Sequence, residues 1–219
     1  MQGFTLIEVL IVCAIIAILA GIAVPRFWSY KLISNEGAVI ATLRTVATAQ
    51  AQFRTMQLVD SDGDSGFEYG TLLELVGKRN LRGTSSVLVP PLLAASFGMV
   101  DSNGRMMRHG YYFALYLPDP AGNGLPDTIT NLPNISPRLA ENYWAMVAWP
   151  VQQGVTGQAT YFVNQGGDIV KAPKANYSGL ARIPQPGCAL QGVPANRVDS
   201  YRVATPGLGA DGNTWYHAR

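Results

Sequence analysis

The chain has 219 residues, 16 Lys and Arg against 14 Asp and Glu, a formal net charge of +2 and only 14% charged residues. With 23 glycines and 14 prolines, regular structure is broken too often for a coiled coil or an all-helical bundle, and a hydrophobic share of 48% excludes a charged disordered tail. The near balance of charge argues against a dedicated nucleic-acid binder, which carries a marked basic excess.

The residues from Phe4 to Val24 form an apolar run of 21 in which only Glu8 is charged. At ~1.5 Å per residue such a helix spans about 31 Å, close to the ~30 Å hydrocarbon core of a bilayer. The run therefore predicts a membrane helix. A cleaved secretory signal would need a basic start, a shorter apolar core and a small-x-small site. Nothing basic precedes this run, and Pro25, Arg26, Phe27 and Trp28 follow it. Glu8 is the anomaly, because a carboxylate near the end of a membrane helix costs a few kcal/mol unless paired. It sits at the headgroup boundary, is protonated, or waits for a cation from another chain. No Lys or Arg lies within the first 25 residues, so a partner from this segment could only be an amino terminus.

Beyond Pro25 a second helical stretch is expected to about Val59. Val39, Leu43, Val46, Gln50 and Phe53 repeat at helical spacing and define one buried face, packed on a sheet. Pro25 removes a ladder hydrogen bond and predicts a kink between the two halves. The segment Asp60-Ser61-Asp62-Gly63-Asp64-Ser65-Gly66 ends the helix. Asp60, Asp62 and Asp64 place oxygens at alternate positions of a tight turn, as Ca²⁺ prefers, but the bidentate closing Glu of a full Ca²⁺ loop is missing. Weak Ca²⁺ binding and a solvated acidic turn capping a short helix over Tyr69–Val76 are the two readings. No other cofactor is expected.

Lys78, Arg79 and Arg82, and then Arg105, Arg108 and His109, form two short basic clusters without interleaved aromatics, which read as solvated faces. Four strands are expected, at Gly110–Leu117, Tyr143–Val151, Gln158–Asn164 and Ile169–Ala172, the last two joined by a Gly-Gly hairpin turn. The stretch from Pro118 to Arg138 reads as a long surface loop, and the tail from Pro184 is again irregular. Cys13 lies in the apolar run and Cys188 in the tail, so no intramolecular disulfide is expected. No nucleophile elbow, phosphate-binding loop or His-Glu-x-x-His is present, and Asp119 and Asp127 read as loop residues; an enzyme is not expected.

The segment Gly3-Phe4-Thr5-Leu6-Ile7-Glu8 followed directly by an apolar run resembles the processing site of type IV prepilins and type II secretion pseudopilins. The resemblance implies cleavage by prepilin peptidase between Gly3 and Phe4, methylation of the new amino terminus at Phe4, and a role in subunit assembly for Glu8. Pro25 falls where many family members have a helix-kinking proline. The leader Met1-Gln2-Gly3 lacks the family's basic residues, so either translation starts upstream or the leader is short. The implied fold is α+β and pilin-like. A long kinked amino-terminal helix packs on an antiparallel sheet of about four strands with long irregular loops. The organisation expected is a leader remnant (1–3), a membrane and assembly helix (4–25), an amphipathic half-helix (26–59) and a globular head (60–219). The implied function is a structural subunit of a type IV pilus or a type II secretion pseudopilus. Its partners would be other copies of itself, other pilins or pseudopilins, the peptidase, inner-membrane assembly machinery and, before assembly, the lipid bilayer. It would start in the bacterial inner membrane with its head outside the cytoplasm and end in an extracellular or periplasmic filament. The alternative is a membrane-anchored surface-binding module that never polymerises.

Overall fold

The computed structural model describes residues 4–218. Its first helix, α1 (Leu6–Thr55), is 50 residues long. That corresponds to about 75 Å at ~1.5 Å per residue. In its first half Leu and Ala are good helix formers, and the many Ile and Val residues, which lose rotamer freedom in a helix, supply apolar surface instead. The helical run passes through Pro25 unbroken. It stops short of Val59 because Gln57 turns into the left-handed region at φ 56°, a job more often given to Gly.

The second half of α1 forms one side of the head's main core. Val39, Leu43, Val46, Gln50 and Phe53 are all fully buried, on the face their spacing predicts. The four apolar ones are worth about 1.5–3 kcal/mol each in burial. They pack with Tyr111, Phe113, Leu115, Met146, Tyr161 and Val163 from one face of the sheet. Gln50 is kept inside by a two-way bond: its Nε2 donates to Gly70 O at 2.8 Å, and Gly70 N donates to its Oε1 at 2.9 Å.

Eight strands make the sheet: β1 (Arg105–Arg108), β2 (Tyr111–Pro118), β3 (Gly124–Pro126), β4 (Ala145–Pro150), β5 (Thr160–Asn164), β6 (Val170–Ala172), β7 (Gly207–Leu208) and β8 (Thr214–His217). The order is β1-β2-β4-β5-β6-β8-β7, with β3 paired to β2. All named pairings are antiparallel. The α+β expectation holds, and β2, β4, β5 and β6 are the four expected strands. The sheet is nevertheless larger than about four. β3 and β7 are short pieces of Gly- and Pro-containing chain, and β1 is half basic, so none of them shows an apolar strand pattern.

The second face of the sheet is buried too. Ala114, Val147, Trp149, Phe162, Val170 and Trp215 point away from α1 and are covered by Cys188, Ala189, Leu190, Val198 and Ala204 from the tail. Burial on both faces explains why β4 reads AMVAWP with every residue inside, rather than alternating. Two short helices complete the head: α2 (Leu72–Leu75) and α3 (Pro137–Ala140).

Candidate functional site

Among the described residues, the apolar run that opens α1 is exposed from Leu6 to Ala23. It is long and apolar enough to cross a membrane, and its most apolar stretch is wholly unburied. Phe4, at its start, is 86% exposed. Gly3, the other expected processing residue, lies outside the described residues.

Thr5 and Glu8 form a capping box at the start of α1. Thr5 N donates to Glu8 Oε2 at 2.9 Å, Thr5 Oγ1 donates to the same oxygen at 2.7 Å, and Glu8 N donates to Thr5 Oγ1 at 3.3 Å. Glu8 therefore has a use inside its own chain: its carboxylate satisfies Thr5 N, and Thr5 in return satisfies Glu8 N, two backbone donors that a helix start leaves open. A carboxylate in the first turn also faces the positive end of the helix dipole. The Thr-x-x-Glu spacing that announces this is in the sequence, but the strangeness of a charge in an apolar run draws attention to distant partners instead.

Where α1 meets the head, two consecutive polar residues clasp the loop between β4 and β5. Asn35 Nδ2 donates to Thr156 O at 2.8 Å. Glu36 Oε1 accepts from Gln158 N at 2.9 Å and from Ala159 N at 3.2 Å. The Tyr111 hydroxyl lies 3.5 Å from the same oxygen and donates to Ala159 O at 3.1 Å. Its proton is held far more tightly than an ordinary phenol's, first by burial and then by the Glu36 charge. Gly157 is needed here, because a Cβ would stand 1.9 Å from the Tyr111 hydroxyl oxygen.

Asp60, Asp62 and Asp64 do come together, with one oxygen of each within 4.8 Å of the others. Part of that oxygen set is already in use. Asp60 accepts from Gly63 N at 2.8 Å and Ser65 N at 3.2 Å, and Asp64 accepts from Gly66 N at 2.7 Å. Glu68 does not close the group, because it is buried against Arg82. Glu141 approaches instead: a Cβ built on Gly66 would meet the Glu141 carboxyl at 2.4 Å and Asp64 Oδ1 at 2.8 Å. The Glu141 carboxyl is pushed above the usual range by burial, then by the charges of Asp64, Asp62 and Glu68.

Of the basic cluster at 78–82, Lys78 is exposed as expected, but Arg79 and Arg82 are not solvated. Arg82 reaches Glu68 Oε2 at 2.6 Å, Glu74 Oε1 at 3.2 Å and Tyr69 O, and Arg79 pairs with Asp127. Asp127 also accepts from Leu73 N at 2.8 Å, so it staples α2 to the loop after β3 and is not a free loop carboxylate. Asp119 closes its own turn through Ala121 N and Asn123 N, both at 2.8 Å. Cys13 is exposed on α1 and Cys188 is buried beneath the tail, and both thiols are free.

Residues 1–24 match the family model of the prokaryotic N-terminal methylation motif. Two fimbrial proteins of Pseudomonas aeruginosa are each 35% identical to this chain over 94 residues, 39% of this chain and 60% of the relative. The type IV major pilin protein PilA of Myxococcus xanthus (strain DK1622) is 46% identical over 52 residues, 24% of each chain. The match thus spans about 60% of the length of the fimbrial proteins. No solved structure matches. With its methylation motif, these relatives and a long helix laid on an antiparallel sheet, the chain is similar to the type IV pilins.

Proposed function

We propose that the chain is a structural subunit of a type IV pilus or related filament, cut between Gly3 and Phe4 by a prepilin peptidase and polymerised through the first half of α1. The observation that carries this reading is the division of one helix. Its second half is core, whereas its first half is bare and apolar. Before assembly the bare half lies in the inner membrane with the head on the far side from the cytoplasm; afterwards it lies in a bundle of like helices. Pro25 lets the two halves bend relative to each other. The processing motif favours a filament over a simple anchor, for which a membrane helix alone would suffice. Pilus and secretion pseudopilus share every feature used here; the fimbrial and pilin names of the relatives favour the pilus. Assembly on this reading needs only binding, so no catalytic residue is assigned.

The test is mass spectrometry of the chain's amino terminus in sheared surface material and in membranes. The expected result is filaments whose subunits begin at a methylated Phe4. An intact Met1 in assembled material, or membrane-bound protein with no filaments under conditions of pilus expression, would sink the proposal.

A further inference from the structure

The turn and a half of α1 beyond the apolar run has an unusual dress. Arg26, Phe27, Trp28, Tyr30 and Lys31 follow one another there, and no acidic residue intervenes before Glu36. Phe27 and Tyr30 are 67% exposed and Trp28 is 49% exposed, whereas Trp144, Trp149 and Trp215 are at most 1% exposed. The Lys31 ammonium lies 5.3 Å from the centre of the Trp28 ring.

Placement round the helix tells what these rings are for. At about 100° per residue, Trp28 lies ~100° from Phe27 on one side and Tyr30 lies ~60° from it on the other. Exposed Ile33 lies a further ~60° round, beside Arg26. The apolar groups thus spread over about 220° of the circumference. The stripe from Val39 to Phe53, which does pack on protein, keeps to about 80°. A one-sided protein partner selects a narrow stripe, and a surrounding medium selects a broad spread. The axial position agrees. If Phe4–Val24 fills the hydrocarbon core, the next ~5–8 Å on that side is headgroup layer, which is about the length from Arg26 to Lys31. Aromatic rings and snorkelling cations are the side chains that suit that layer.

Resting on the membrane reading above, we propose that Arg26–Lys31 is an interfacial girdle that binds phospholipid headgroups and fixes the depth of the unassembled subunit. Phe27, Trp28 and Tyr30 seat at the level of the lipid carbonyls, and Arg26 and Lys31 reach the phosphates. The clasp at Asn35 and Glu36 then lies about 16 Å of helix beyond Val24, which holds the head clear of the bilayer.

The chain carries its own probes. Cys13 lies in the apolar run and Cys188 is fully buried in the head, so in the folded protein a thiol reagent reads Cys13. Trp28 is the only tryptophan open to lipid, since the other three are buried. The full chain is reconstituted in vesicles of equimolar phosphatidylcholine and phosphatidylglycerol, with bromine on the acyl chains either near the glycerol or near the chain end. The expected result is protection of Cys13 from a water-soluble maleimide, with emission lost about twofold more to shallow bromine than to deep bromine. Trp28→Phe should abolish that lipid-dependent loss and leave the emission of the buried three. In Arg26→Gln/Lys31→Gln the shallow-to-deep ratio should fall as Trp28 sinks. Protected Cys13 with unquenched or deeply quenched Trp28 overturns the girdle while leaving the membrane helix standing. An unchanged ratio in the double variant overturns the role of the two cations. Labelled Cys13 overturns the membrane reading and the girdle with it.

Discussion

Replacing Glu8 by Gln removes its charge but keeps an oxygen that can accept from Thr5 N, because Gln serves as Glu does at the third position of a capping box. Replacing it by Ala removes both. The two variants separate the two things this carboxylate can do. As a cap within its own chain it is worth about 1 kcal/mol, and its loss frays one turn. As the partner of the ammonium at Phe4 on a neighbouring subunit it is worth more: breaking a buried pair strands the other charge at a penalty of ~3–5 kcal/mol. At about 1.4 kcal/mol per tenfold, that is a loss of roughly a hundredfold to several thousandfold at each subunit addition. Both variants should insert at least as well as wild type, since a charge is costly in lipid. Neither should disturb the head, whose core begins at Val39. The assay is the yield of sheared filaments divided by the yield in the membrane fraction. The expected outcome is that Gln fails as severely as Ala. If the Gln variant assembles normally while Ala does not, Glu8 matters only as a cap. Normal filaments from both would remove Glu8 from assembly altogether.

Four further predictions concern the head, each read on the full chain in detergent. Arg82→Met leaves Glu68 and Glu74 buried without their cation and should cost about 3–5 kcal/mol in denaturant unfolding. No loss would mean the network carries no net charge pairing. Glu36→Ala should cost about 1–2 kcal/mol and speed hydrogen exchange at Gln158 and Ala159, whose N–H groups it frees; unchanged exchange would show that the clasp is not closed in solution. Glu141→Gln should raise the melting temperature at pH 7 but not near pH 3. The fold raises this carboxyl, so the stability that goes with its protonated form is present below the usual carboxylate range and lost as pH rises through the folded value. Ca²⁺ at Asp60, Asp62 and Asp64 should bind no more tightly than about millimolar, because Glu68 is spent on Arg82; a micromolar calorimetric titration would refute that.

What the sequence discloses depends on whether the fold keeps a local period. The stripe from Val39 to Phe53 is legible because a helix on a sheet reads every third or fourth residue. The strands β2, β4, β5 and β6 are legible because they are runs of aromatic and branched residues between turn signals. β1 is hidden because Arg105 and Arg108 can stay partly solvated at the sheet's edge, where charge is tolerated. The cover of the second sheet face is hidden for another reason. Cys188, Leu190, Val198 and Ala204 come from irregular chain, and isolated apolar residues have no period to betray them. The ion pairs of Arg79 and Arg82 join residues up to 48 apart through loops, and only the closed fold brings them together. At the functional end of the molecule the position is reversed. The run Phe4–Val24, its methylation motif and Glu8 are legible because they are local, while the clasp at Glu36 is not, since the backbone N–H groups it holds lie more than 120 residues away.

The division of α1 also bears on what can drive assembly. A bare helix of some twenty apolar residues is not stable in water, so on the filament reading the unassembled subunit would keep it in lipid. Moving that helix from lipid into a bundle of identical helices exchanges one apolar environment for another. The hydrophobic effect, which dominates soluble association, therefore contributes little to this step. What remains is packing of small residues and the pairing of polar groups. Between Phe4 and Val24 there is one ionisable carboxylate, Glu8, and cleavage before Phe4 would create one cation to match it. A single pair of opposite charges at one end of each helix sets axial register as well as affinity, because a slip by one turn, about 5.4 Å, separates them. On this view the capping box has a second consequence. By holding the Glu8 carboxylate against Thr5, it keeps that charge next to the chain's own amino end and presents it in one fixed orientation. The neighbouring subunit then meets a preset acceptor rather than a mobile side chain, and less entropy is lost when the pair forms.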